Sequence, residues 1–242
     1  SAFALCQNLQ SITIPASVTS IGDSAFSDCY ELQSIKIPTS VTSIGEYMFH
    51  RCDGLESIAI PASITSIDVS ALCSCTNLKS INVDSNNSQF TSIDGILFSK
   101  NYETILCFPT NHDLSSYTIP TGVTSIGNSA FYECSNLESI TIPTSVTSIG
   151  KAAFSGCYNL QSITIPANVT SIGNFTFSGC INLESIIIPS NATSIGDSAF
   201  YRCENLQSIT IPTSVTSIGN SAFFQCSNLE SITIPTSVTS IG

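Results

Sequence analysis

Eleven cysteines, two histidines and 68 serines and threonines are the residues of this 242-residue chain whose types could do chemistry. Thiolates attack, ligate zinc or cross-link; a serine becomes a nucleophile when a base, itself held by a third group, lies within hydrogen-bond reach. Nine of the cysteines fall at 6, 29, 52 and 75, then at 134, 157, 180, 203 and 226, each three residues after a Phe or, once, Leu72. One equivalent position repeated in this way predicts a ladder of small, buried, free thiols. Neighbouring Cα atoms about 5 Å apart would be within disulfide reach, but ladder side chains point in parallel. Cys73-Ser74-Cys75 is the one close pair, and it has neither a second pair nor nearby histidines to complete a zinc site. His50 and His112 have the spacing of neither a metal pair nor a triad, and His112 beside Asp113 reads as surface loop. Asp84-Ser85-Asn86-Asn87-Ser88 has the oxygens of a calcium loop without its glycine or closing glutamate, and reads as a turn. No catalytic residue, metal ligand or cofactor is predicted, and the chain is read as not being an enzyme.

The elements that position these side chains follow a 23-residue period. The unit is C-x-x-L-x-S-I-x-I-P-x-S-V-T-S-I-G-x-x-A-F-x-x, and about ten copies fill the chain. Leu137 to Pro143 shows the first piece, a short strand with apolar residues at alternate positions, ended by a proline that has no N–H for a ladder. Val146 to Ile149 is a second extended piece, stopped by Gly150. Asp23, Asn128, Asn174, Asp197 and Asn220 then stand where they could cap a single helical or 3-10 turn over Ala-Phe-x-x-Cys, although Glu46 and Lys151 break the pattern. Asn8, Asn77, Asn136 and Asn159, before the leucine, suit a left-handed or turn conformation. Eight inward residues per unit cannot form a core alone, because each unit is open on both sides; stacked units share one. The predicted fold is a repeat solenoid, mainly short β-strands in parallel sheets joined by short helical or 3-10 turns, one domain over 1–242.

Leu-x-x-Ile-x-Ile-Pro, Val-Thr-Ser-Ile-Gly and Ala-Phe-x-x-Cys together resemble the BspA-like class of leucine-rich repeats over essentially the whole chain. The resemblance implies a scaffold without a catalytic motif. It also implies a cell-surface or secreted setting and adhesion to host matrix proteins or cells. The odd cysteine count without a disulfide framework leans instead toward a reducing compartment. Composition narrows the partners. Charged residues make up 10% and the net charge is −11 with six Lys and Arg, so nucleic acid and anionic membrane surfaces are poor partners. No apolar run approaches the roughly 18 residues of a membrane span, so no membrane insertion is predicted for this segment.

Recognition would then rest on outward columns. Alternation places Ser11, Ser34, Ser57, Ser80 and their equivalents outside, beside a mostly threonine row interrupted by Lys36, Ala59, Asn82 and Ile187. Glu138 and Glu184 belong to a third, acidic or amide row. One coil departs from the period: Leu78 to Leu114 is a step of 36, so residues 84–113 carry 13 extra residues. Ser92–Phe98 and Glu103–Phe108 around Ser99-Lys100-Asn101-Tyr102 predict a protruding β-hairpin, with Phe90, Lys100, Tyr102 and His112 as the residues a partner would grip. Asn86, Asn168, Asn174 and Asn191 are N-x-S/T sequons and possible glycosylation sites. The favoured function is a non-catalytic binding or adhesion scaffold for a protein or glycan on another cell or matrix. The alternative is a structural repeat protein that self-associates head-to-tail. No polar cap precedes Ser1-Ala2-Phe3 or follows Ile241-Gly242, and the start carries no targeting signal, so the chain reads as a fragment or processed product.

Overall fold

Isoleucines at alternate positions bury one side of each Ser-Ile-x-Ile segment and leave the serine and the x residue in water. In Ser139–Thr141 the serine and threonine are exposed and Ile140 is buried, a pattern repeated at Ser162–Thr164, Ser185–Ile187 and Ser208–Thr210. Parallel pairing with a 23-residue offset follows, because only that register keeps isoleucine on isoleucine: Ile140 pairs with Ile163, Ile163 with Ile186 and Ile186 with Ile209. The computed structural model describes residues 1–242, in two compact units, Ser1–His112 and Asp113–Gly242. Each is a parallel β-solenoid.

In the second unit the first-piece strands from Ser116–Thr118 to Ser231–Thr233 form a six-stranded parallel sheet. The second extended piece makes shorter parallel ladders, such as Ser194–Ile195 with Ser217–Ile218. In the first unit the equivalent pairs are Ser11–Ile12 with Ser34–Ile35, Ser43–Ile44 with Ser66–Ile67, and Ser57–Ile60 with Ser80–Val83. The predicted inward set is the core: Leu160, Ile163, Ile165, Val169, Ile172, Phe177 and Cys180 are each at most 5% exposed. Phenylalanines of successive coils stack face to face. Phe131, Phe154, Phe177 and Phe200 have ring centroids 5.1–5.5 Å apart and interplanar angles of 14° or less.

The predicted helical turns are replaced by something else. Only Val69–Leu72 forms a 3-10 helix, capped by Asp68, whose Oδ1 accepts from Ser70 N at 2.9 Å. Elsewhere the Ala-Phe segment contains residues of left-handed backbone, for example Ser129 (φ 53°) and Glu133 (φ 55°), or Ser198 (φ 52°) and Arg202 (φ 56°). A helix requires consecutive right-handed residues, so these positions prevent one. They turn every second N–H toward the following coil: Ser129, Phe131 and Glu133 donate to the carbonyls of Lys151, Ala153 and Ser155 at 2.8–2.9 Å. The cost of left-handed backbone at non-glycine residues is offset by this third ladder.

The aspartates and asparagines expected to cap helices serve between coils. Asp23, Asn128, Asn174 and Asp197 each accept, through Oδ1, from the backbone N–H of residue 46, 151, 197 or 220 in the next coil, at 2.7–3.0 Å. This explains the glycine column. A Cβ on Gly150 would lie 2.5 Å from Asn128 N and 2.6 Å from its Oδ1. Gly173 follows Lys151, which offers no such side chain, and its Cβ would meet nothing closer than Thr176 Oγ1 at 3.3 Å. Asparagines before the leucine are in turns but have no positive φ; Asn182, Asn205 and Asn228 instead donate from Nδ2 to the Oδ1 of the equivalent asparagine one coil back, at 3.1–3.2 Å.

Residues 84–113 hold three antiparallel strands where one hairpin was expected. Phe90–Ile93 pairs with Ile96–Ser99, and Ile96–Ser99 pairs with Thr104–Cys107. The predicted single strand over 92–98 is broken by Asp94 (φ 50°) and Gly95 (φ 79°), a two-residue turn of the type that asparagine-glycine and aspartate-glycine favour. Nor does the element protrude. Ile96, Leu97, Phe98 and Ile105 are at most 1% exposed. The Gly95 carbonyl accepts from Ile81 N at 2.8 Å, and a Cβ there would lie 2.8 Å from Ser80 Cβ. The turn over Lys100–Glu103 stands in solvent, as do Asp84–Asn86 and Ile93–Asp94.

Candidate functional site

Each outward column is built by the strand alternation just described, so the side chains that interrupt it are displayed without a packing role. Lys36, Ala59 and Asn82 occupy equivalent positions of successive coils in the first unit, and Ala59 pairs directly with Asn82. The three line one recess of about 440 Å³. Thr39 and Asp84 border it, and its apolar floor includes Ile60 and Pro61. A lysine and a carboxylate at opposite sides of a partly apolar hollow can hold a polar chain segment by charge-assisted hydrogen bonds while covering an apolar group. The sequence reads Asp84 as part of a turn and not as a binding residue. Its place two residues after Asn82 puts it on the same side of an extended chain, which was the signal available.

In the second unit Ile187 is 71% exposed between Thr164 and Thr210, an isolated apolar side chain in a hydroxyl row. Glu138 and Glu184 are exposed one coil-position away from the serine column. Ser139 Oγ donates to Ser116 Oγ at 2.9 Å, so part of that serine column is occupied by its own hydrogen bonds.

The inserted segment does not assemble its four candidates into one surface. Phe90 is half-buried against the core. Lys100 is exposed and its Nζ donates to the Ser85 carbonyl at 3.3 Å. Tyr102 is exposed at the turn, its ring tilted on Phe98 at 6.3 Å. His112 is held by the Asp94 carbonyl, 2.9 Å from Nε2, and by the Phe108 ring at 4.8 Å. The four sequon asparagines are all exposed. Asn168 and Asn191, in consecutive coils, donate from Nδ2 to the carbonyls of Thr144 and Ala167, and Asn174 accepts from Asp197 N.

All eleven cysteines are free thiols. Repeat cysteines with a regular coil before them donate from Sγ to the carbonyl of the phenylalanine 26 residues earlier: Cys52 to Phe26 at 3.2 Å, Cys157 to Phe131 at 3.0 Å, Cys203 to Phe177 at 3.1 Å, whereas Cys134 donates to the Tyr132 carbonyl. Burial pushes the Cys157 thiol up to about 12, against an ordinary 9.0, and that of Cys52 to about 12 with a further contribution from the neighbouring Cys29. Thiols so held are poor nucleophiles and poor ligands. No three His, Cys, Asp or Glu side chains come together as a metal site, and no helix is long and apolar enough to cross a membrane.

The family pattern described as "BspA type Leucine rich repeat region" matches in six copies over residues 1–105, 104–203 and 147–242. Among solved structures, a leucine rich cell surface protein from Faecalibacterium prausnitzii is 39% identical with a TM-score of 0.87 over 96% of this chain. The chain spans 61% of that protein. A leucine-rich repeat protein from Eubacterium ventriosum is 29% identical, with a TM-score of 0.83, covering 99% of this chain and 77% of its own. The pneumococcal vaccine antigen PcpA is 24% identical, with a TM-score of 0.82 over 96% of this chain and 62% of its own, and shares the fold. A comparison with curated protein sequences finds no match. Together, the repeat pattern and the solenoid that it builds show that this chain belongs to the BspA-type leucine-rich repeat family.

Proposed function

We propose that the chain is the non-catalytic adhesion module of a cell-surface or secreted protein, holding a macromolecular partner on the outward columns of its first-piece strands. The carrying observation is the recess where Lys36, Ala59 and Asn82 converge with Asp84, since these side chains interrupt the Ser/Thr columns without serving the core. Support also comes from the family, whose repeats act as protein-interaction scaffolds, and from the similar F. prausnitzii protein, which is described as a cell surface protein. Ile187, with Glu138 and Glu184, is a second contact region in the second unit.

The test is capture of partners from host matrix and cell-surface extracts on the immobilised chain. Lys36→Glu reverses the charge facing Asp84 and is expected to weaken the captured partner at least tenfold while the thermal midpoint hardly moves. Unchanged capture by Lys36→Glu and by Ile187→Asp rejects these columns. Recovery of nothing but the chain itself, with scattering mass that rises with concentration, points to the self-associating alternative.

A further inference from the structure

We infer that the second unit carries a saccharide-binding recess on its turn columns, separate from the strand face and independent of the function proposed above. The turn residue just before each repeat cysteine carries a side chain in seven coils: Leu5, Asp28, Arg51, Ser74, Glu133, Arg202 and Gln225. In two consecutive coils it is glycine, Gly156 and Gly179. Backbone strain does not require this. Both glycines have φ 74°, and the non-glycine residues of the column adopt 55–64°, with Leu5, Asp28, Glu133 and Arg202 making the same ladder bond. Space is the difference. The preceding column is reduced to Ser155 and Ser178 in the same two coils, between Tyr132 and Tyr201. The result is a recess of about 160 Å³ with a floor of glycine backbone. It is bordered along the stack by Tyr132 with Glu133 at one end and Tyr201 with Arg202 at the other, and laterally by Tyr158 and Ile181.

The contents of this recess select the ligand. A volume of 160 Å³ is below the roughly 300–1,000 Å³ of pockets that enclose a whole drug-sized molecule, and fits one ring of a longer chain. Aromatic faces are electron-rich and pack against the polarised C–H face of a pyranose, while the ring's hydroxyls need donors and acceptors at the edge. Both are present: Tyr158 is 42% exposed, Ser155 and Ser178 offer hydroxyls, and a carboxylate and a guanidinium face the recess from opposite ends. Arg202 is steadied by Glu204 at 3.3 Å, and Tyr201 is stacked on Phe224 at 5.4 Å, so this end is pre-organised. A proline-rich peptide would also use aromatic walls, but its prolines carry no N–H for the Glu133 carboxylate and the serine hydroxyls, which the hydroxyls of a sugar can bond.

Saturation-transfer NMR on the full chain with cellotriose, chitotriose and maltotriose as probes tests the assignment. At least one trisaccharide is expected to bind saturably and to shift the Tyr158 ring signals. Gly179→Arg places in the recess the side chain that Arg51 and Arg202 carry elsewhere in the column. It is expected to weaken that binding at least tenfold, with Lys36-dependent capture unchanged. Tyr158→Ala, at an exposed position, is expected to weaken it at least fivefold and decides the matter if Gly179→Arg does not fold. Binding by none of the three sugars, equal binding by the folded variants, or saturable binding of a proline-rich peptide at Tyr158 in their place overturns the inference.

Discussion

In the regular coils of the second unit, short polar side chains reach across to the neighbouring coil. Ser145 and Ser214 donate to the carbonyls of Val123 and Ala192, Thr193 and Thr216 to those of Thr170 and Thr193, and each repeat cysteine from Cys157 on to a phenylalanine carbonyl. In segment 84–113 of the first unit, bonds are mostly local, along antiparallel strands; Ser92 Oγ accepts from Val83 N at 3.0 Å, and one buried side chain makes four bonds that tie the segment to the stack. Asn87, 1% exposed, donates from Nδ2 to the carbonyls of Pro61 and Ile64 at 2.9 Å. Its Oδ1 accepts from Gln89 N at 2.9 Å and Phe90 N at 2.8 Å. The regular coils therefore spread their polar bonds thinly over many equivalent positions, whereas the insertion concentrates them. Loss of one coil bond is local to that interface; loss of Asn87 frees four backbone groups together.

The largest effect is expected in the shared core. Phe154→Ala removes the ring that Phe131 and Phe177 both stack on and should cost about 3–5 kcal/mol, read by denaturant titration. A cost below about 1 kcal/mol would break the picture of a continuous aromatic column. Asn87→Ala should cost about 3 kcal/mol, because buried backbone groups lose their partners. Hydrogen exchange should show that loss in the first unit, with protection of Ile163 and Ile186 unchanged; loss in both units alike would contradict the concentrated-anchor reading.

Alkaline pH probes the stack itself. An unfolded thiol loses its proton near pH 9, whereas folded Cys157 keeps its own to about pH 12. Across that window the folded state binds more protons, so stability is intact below about pH 8 and falls as pH rises. The slope for one such thiol is about 1.4 kcal/mol per pH unit. Cys157→Ala should be shallower by that amount between about pH 9 and 11, and an unchanged slope would show that the thiol is not protected. The smallest effect sharpens the rule between coils. Gly150→Ala collides with Asn128 and should cost about 1–3 kcal/mol, whereas Gly173→Ala, following Lys151, should be neutral within about 1 kcal/mol. Equal thermal midpoints for the two would remove the asparagine ladder as the reason for glycine.

Periodicity made the solenoid legible because a 23-residue spacing of Leu, Ile, Phe and Cys has one economical solution, like on like, and the predicted apolar residues are buried in the inner coils, whereas Phe3, Cys6, Ile234 and Ile241 in the first and last coils are exposed. Legibility ended where an inter-coil bond and a local bond use the same residue. Asp23 and Asn128 have the chemistry of a helix cap, and nothing within one repeat says that the next coil's N–H lies closer than their own. The same holds for Asn87, whose type and neighbours read as a turn, and for Asp94-Gly95, whose turn signal lay inside a run of apolar residues. Lys36, Ala59 and Asn82 were legible as interruptions of a column.

By itself, then, the amino-acid order determined the repeat, the register and the inward faces, because those depend on apolar spacing that every coil restates. The tertiary structure alone decided which polar groups are already engaged and which hollows lie between coils. Hydrogen-bond partners and cavities are properties of two neighbouring chain segments at a definite distance, and the recesses at Ala59 and at Gly179 exist only once those segments are stacked.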